Sequence, residues 1–218
     1  MTGEATRRLL NDGLMQEIVD EVTNSQDYYL VGESAVFFAY KSRKVPKGVS
    51  LISTIDVGKE YKCWEKNRIE RVLDRVIKCR YGKNFTYRMY TRSDILDRYQ
   101  IFTLDGTFMF TIRVDYIIPT KVKYDYLDCK NSYKTLRTDV LFKKTYESVK
   151  DCLKFSNLYD MCFLAVRFAD EISPRLLRKA KRLFKKIDDS ELNDVIYLEE
   201  YDDELRKELL GLLETFIG

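Results

Sequence analysis

A chain of 218 residues with 45% hydrophobic and 33% charged residues carries enough apolar material for a core and lacks the bias of a disordered segment. Its formal net charge of +3 is too mild to announce a polyanionic partner, so any such partner has to be met by a local patch. Histidine is absent, which removes Ser-His-Asp and Cys-His nucleophiles, the HExxH zinc site and every imidazole relay, and leaves carboxylates, lysine, tyrosine, cysteine or an oxygen-held metal for any chemistry.

In chain order, Leu9, Leu10, Leu14, Ile18 and Val22 recur at helical spacing and predict a helix over 4–23. The run YYLVG (28–32) reads as a short strand ending at Gly32, and Ser34 is placed to cap a following helix, AVFFAYKSRK. After a Pro- and Gly-containing loop over 45–50, SLISTIDV (50–57) alternates, with Ile55 and Val57 on one face and Thr54 and Asp56 on the other. Residues 60–81 form a second long helix on the stripe Ile69, Val72, Leu73, Val76 and Ile77, closed by Gly82. Three strand-like runs follow, FTYRMYT, DRYQIFTL and TFMFTIRVDYII, with Asp105-Gly106 as a hairpin turn between the last two. In the last of these Phe108, Phe110, Ile112, Val114 and Tyr116 share one face, and Thr111, Arg113 and Asp115 the other. The polar stretch KVKYDYLDCKNSYK reads as a connector, and from about residue 136 the pattern is helical, with Ser173-Pro174 as a capped helix start.

The five cysteines, Cys63, Cys79, Cys129, Cys152 and Cys162, are odd in number and widely spaced without a CxxC, which predicts reduced thiols rather than a disulfide framework or a zinc site. No apolar run reaches bilayer length and MTGEATRRLLNDGLMQE has no apolar signal core, which predicts a cytoplasmic chain with no membrane contact.

Three features stand in a telling order: a strand running through glycine into a helix, LVGESAV (30–36); a strand with a polar face, STIDV (53–57); and a strand carrying an outward acid, TIRVD (111–115). Two further segments follow, DVLFKKTYES (139–148) with Lys143 and Lys144, and SNLYDMCFL (156–164) with Asp160. Together they resemble the AbiEii-type nucleotidyltransferase toxin family, within the polymerase-beta-like nucleotidyltransferase superfamily. The resemblance implies an α+β fold: a mixed-sheet nucleotidyltransferase-like core over 1–120, a connector over 121–135 and a C-terminal helical bundle over 136–218. It implies that Gly32 and Ser34 seat the triphosphate at a helix start, that Asp56 and Asp115 hold magnesium or manganese, that Lys144 steadies the phosphates, and that Asp160 serves the acceptor. The implied activity is transfer of a nucleotidyl group from NTP to an RNA or protein hydroxyl, with RNA or a cognate antitoxin-like protein as partner.

The motifs are incomplete. Glu33 stands where the family has a small residue beside the triphosphate, Thr54 replaces the first acid of the D-x-D strand, and Ser156-Asn157 replaces an Arg-Asp pair. These exchanges predict weak catalysis, and they open the alternative of a pseudoenzyme that keeps the fold and acts by binding RNA or a partner protein. Arg175, Arg178, Lys179 and Arg182 crowd one helix and are candidate nucleic-acid contacts, with a solvated helix face as the bland alternative.

Overall fold

The computed structural model describes residues 3–24, 28–54, 69–82, 84–93, 95–116, 126–198 and 201–218. Asp56 and Cys63 lie outside the described residues, as do most of the 50–57 strand's far end and the first half of the 60–81 helix.

Helix α1 (Gly3–Thr23) leads into β1 (Tyr28–Leu30), and the chain then turns directly into α2, which begins as Gly32–Ser34 and continues as π-helical turns over Ala35–Ala39. Strand β2 (Gly48–Ser53) follows, then α3, whose described part is helical over 69–73 and π-helical over Asp74–Arg80. Next come β3 (Phe85–Arg92), β4 (Leu96–Thr103), β5 (Phe108–Tyr116), β6 (Leu127–Lys130) and β7 (Tyr133–Leu136). The helical region comprises α4 (Thr138–Asp151), α5 (Phe155–Arg167), a short 3-10 turn Ala169–Glu171, α6 (Pro174–Phe184), α7 (Asp189–Leu198) and α8 (Asp203–Ile217). None of the described helices is long and apolar enough to cross a membrane.

The described strands form one mixed sheet of seven, in the order β3-β4-β5-β2-β1-β7-β6. β2 runs parallel to β5 and β1 runs parallel to β7, while the remaining neighbours are antiparallel. Register fixes which residues share a face. Val49, Leu51 and Ser53 lie beside Ile112, Val114 and Tyr116, whereas Gly48, Ser50 and Ile52 lie beside Thr111, Arg113 and Asp115. The first row is buried and joins Leu14, Ile18, Ile69, Val76 and Ile77 from α1 and α3 in the core. The second row faces the opposite side, where α4 and α5 approach α2.

Two expectations are corrected here. The polar stretch read as a connector supplies the hairpin β6–β7, and its second strand pairs with β1 at Leu30↔Thr135. The turn is made by Asn131 and Ser132, both at positive φ (48° and 72°), the backbone that a two-residue hairpin of this handedness demands. Phe108 leaves the row it was assigned to. A bulge brings it opposite Phe102, with ring centroids 5.9 Å apart, and leaves it 51% exposed, while Phe110, Ile112, Val114 and Tyr116 keep the core face.

Candidate functional site

A cleft of about 790 Å³ opens on the non-core side of the central strands. Its walls are the β1–α2 turn, the start of β2, the outward residues of β4 and β5, and one face each of α4 and α5. Gly32, Asp115, Lys144 and Asp160 all line it, although 128 positions separate the first from the last.

Gly32 sits at the first turn of α2 with φ +58°, a left-handed conformation that side chains disfavour. The preceding Val31 is extended, so the strand passes into the helix within one residue. Gly48 forms the cleft floor where β2 meets β5: a Cβ there would stand 2.4 Å from the Thr111 carbonyl oxygen, so only glycine allows that approach.

Ser34 does not face the cleft. It lies inside a helix that begins three residues earlier than expected, makes no cap, and is fully buried. Its Oγ stands 2.9 Å from the Val31 carbonyl and 3.0 Å from the Ser50 carbonyl, and it accepts the Ser50 N–H at 3.0 Å. The hydroxyl pins the α2 turn to β2 and is not presented to a phosphate.

The acids of the cleft are paired. Arg113, two residues from Asp115 on the same strand face, grips its carboxylate through Nε at 3.0 and 2.9 Å and through Nη2 at 2.8 Å. Asp160 is 3% exposed and stands 3.0 Å from Nζ of Lys44, a lysine that is itself 1% exposed. The same ammonium lies 3.7 Å from Glu33, whose other oxygen takes the Lys47 N–H at 3.4 Å. Lys44 and Asp160 meet as an ion pair whose angle falls outside hydrogen-bond geometry. Burial pushes the Asp160 carboxyl up to about 7; Lys44 pulls it back and the Glu33 charge adds to the rise.

Glu33 therefore does not stand as a bare charge against a triphosphate, as its place in the sequence predicts; it is one arm of a Glu33–Lys44–Asp160 cluster. Nothing local marks Lys44, because a lysine at the end of the predicted helix AVFFAYKSRK reads as solvated and its partner Asp160 is more than a hundred positions away. With Glu33, Asp115 and Asp160 so engaged, Lys47, Arg98 and Lys144 line the cleft without a carboxylate partner among the described residues. Lys144 is exposed, and Lys143 beside it turns to Glu147 at 3.9 Å.

Lys144 also lines a second cleft of about 680 Å³ between α4, α6 and the end of β2. Arg175 and Lys179 line this neighbour; Arg178 and Arg182 are exposed elsewhere on α6. Ser173 caps α6 by accepting the Leu176 N–H at 3.3 Å, as its sequence predicts.

Among the described residues no three acids approach one another as a metal site. Asp115 offers one carboxylate, already held by Arg113, and Asp56 is not described. The described residues do not by themselves fit a two-metal centre. The described cysteines are free, with Cys162 buried and Cys79, Cys129 and Cys152 exposed.

A strand passing through a left-handed glycine into a helix, beside parallel strands whose outward residues meet a lysine and an acid from two later helices, defines a nucleotidyltransferase-like α+β fold. Two solved structures from Helicobacter pylori share it. JHP933 aligns with a TM-score of 0.69 at 15% identity over 96% of this chain and 91% of that one. A candidate nucleotidyltransferase aligns with a TM-score of 0.67 at 16% identity over 100% and 96%. The nucleotidyltransferase toxin MenT4 from Mycobacterium tuberculosis aligns over 99% and 95%, but its TM-score of 0.37 and 8% identity support no argument. At these identities the likeness carries the fold alone. Neither a family model nor a curated protein matches the sequence.

Proposed function

We propose that the cleft binds a nucleoside triphosphate and that the chain is a weak nucleotidyltransferase, moving a nucleotidyl group from NTP to a hydroxyl of RNA or protein. The observation that carries this reading is the meeting of Gly32, Asp115, Lys144 and Asp160 in one cleft with Lys47, Arg98 and Lys144 lacking carboxylate partners among the described residues. Three open cations beside a helix start suit a polyanion. In this reading Gly32 lets the phosphates approach the backbone, Lys144 steadies them, and Asp160 lies close enough to the cleft to orient an acceptor hydroxyl. Magnesium or manganese is assigned to Asp56 with Asp115, which requires Arg113 to release the carboxylate.

One observation favours the second reading, a nucleotidyltransferase-fold protein that binds RNA or a partner protein without chemistry: the bidentate Arg113–Asp115 pair occupies the acid a metal would need. Thermal denaturation separates the two. Millimolar magnesium with NTP raises the Tm of an NTP-binding chain by mass action, and Asp56→Asn or Asp115→Asn abolishes the metal-dependent part. Labelled-NTP transfer to RNA or protein then measures activity. Absence of any shift with every NTP, with and without metal, would overturn the first reading and leave the second.

A further inference from the structure

Beyond the cleft mouth, the face of β3–β5 opposite the core is open among the described residues. Tyr90, at the β3 bulge and lining the cleft, is 64% exposed, and Phe108 is 51% exposed. Phe102 lies between strand neighbours, with Phe108 edge-on at 5.9 Å and the Arg88 guanidinium 5.8 Å from its ring centroid. Arg98 is the register partner of Arg113. Like charges directly opposite each other on a sheet are destabilising unless an anion sits on them, and Arg113 alone has a carboxylate. Arg88 and Arg98 have none among the described residues.

We propose that this face is a platform for single-stranded RNA, which it delivers to the cleft. The chemistry of recognition is sequence-tolerant stacking of unpaired bases on Tyr90 and on the Phe102–Phe108 pair, with Arg88 and Arg98 meeting phosphates. From Arg98 to Phe102 the strand rises about 13 Å, and three strands span about 10 Å, room for two or three bases. A duplex keeps its bases stacked inside and offers nothing to these rings. Charge complementarity favours RNA over an apolar partner: the rings are interleaved with Arg88 and Arg98, which meet no carboxylate among the described residues, rather than set in a greasy patch. As the acceptor's seat the platform rests on the nucleotidyltransferase reading; as a binding surface it does not, and the test contains no NTP.

The test is fluorescence anisotropy of a fluorescein-labelled ten-nucleotide single-stranded RNA of mixed sequence, titrated with the full chain. Expected are saturable binding, a rise in Kd of about tenfold for Tyr90→Ala and for Phe108→Ala, and a fall of about 0.7 in the salt slope for Arg88→Ala and for Arg98→Ala. All four side chains lie on the surface, and circular dichroism verifies that the variants fold. Equal competition by a duplex of the same length, or wild-type affinity in both aromatic variants, would overturn the proposal. So would sedimentation showing a dimer that Phe108→Glu dissolves, which would give this face to a second copy of the chain. Failure of the anisotropy test with a positive NTP shift rejects the platform and leaves the nucleotide cleft standing.

Discussion

Replacing Lys44 by methionine removes the cation from the Glu33–Lys44–Asp160 cluster while keeping most of the stem's volume. At the observed 3.0 Å, the Lys44–Asp160 attraction is about 5 kcal/mol at an effective dielectric constant near 20, and breaking a buried pair from one side costs roughly 3–5 kcal/mol. That loss depends on Asp160 being charged. Its carboxyl, raised to about 7 in the fold, binds a proton more tightly there than in the unfolded chain. In wild type, Asp160 therefore lowers stability progressively as pH rises from about 4 to 7, beyond which the penalty is constant. Without Lys44 the carboxyl rises further and stays protonated to higher pH, so the variant escapes the charge in acid. Urea denaturation should show Lys44→Met destabilised by about 2 kcal/mol at pH 8.5, the most that a carboxyl titrating at about 7 and then left protonated can lose there, and by a small fraction of that at pH 5.5. Lys44→Met with Asp160→Asn should recover most of the loss at pH 8.5. Glu33, on the solvent side of the cluster with 29% exposure, is screened and contributes little to the difference. Equal destabilisation at both pH values would refute the reasoning and assign the effect to packing of the lysine stem.

Gly32→Ala should destabilise by about 1–2 kcal/mol from backbone strain alone, since open space surrounds the added Cβ, and a thermal melt checks it. Ser34→Ala should cost about 1–3 kcal/mol in urea denaturation by leaving the Ser50 N–H without its acceptor, with little change in NTP affinity. Tyr116→Phe should cost about 2 kcal/mol, because its hydroxyl donates at 3.0 Å to Asp97, a carboxylate with no exposure.

The chain's periodic parts were legible. Ile69, Leu73, Val76 and Ile77 are buried along α3, and Ser173-Pro174 opens α6, because local repeats and caps depend on neighbours a few residues away. Asp160 was legible as a candidate through the segment SNLYDMCFL, and an acid buried among such apolar neighbours needs a partner. The partner itself, Lys44, was invisible: nothing local marks a lysine that will be buried by a helix far along the chain. Ser34 misled because a serine between strand and helix looks like a cap, and only the left-handed Gly32 moves the helix start ahead of it. The β6–β7 hairpin was hidden by its polarity, although Asn131-Ser132 is the turn signal that could have found it. The bulge that turns Phe108 out of the core row is likewise set by a cross-strand partner, Phe102, rather than by alternation within β5.

The pairing of β1 with β7 has a consequence for how the molecule is made. A ribosome supplies β1 and β2 early, but Thr135, which stands against Leu30, comes more than a hundred residues after it. At synthesis rates of about 5–20 residues per second, roughly 5 to 20 seconds pass with the nascent β1 presenting a bare edge. Such an edge is a template for joining other chains. A nascent chain stalled anywhere before Leu136 should accordingly recruit chaperones or aggregate, and release of the hairpin should end that exposure by capping the strand from its own C-terminal side.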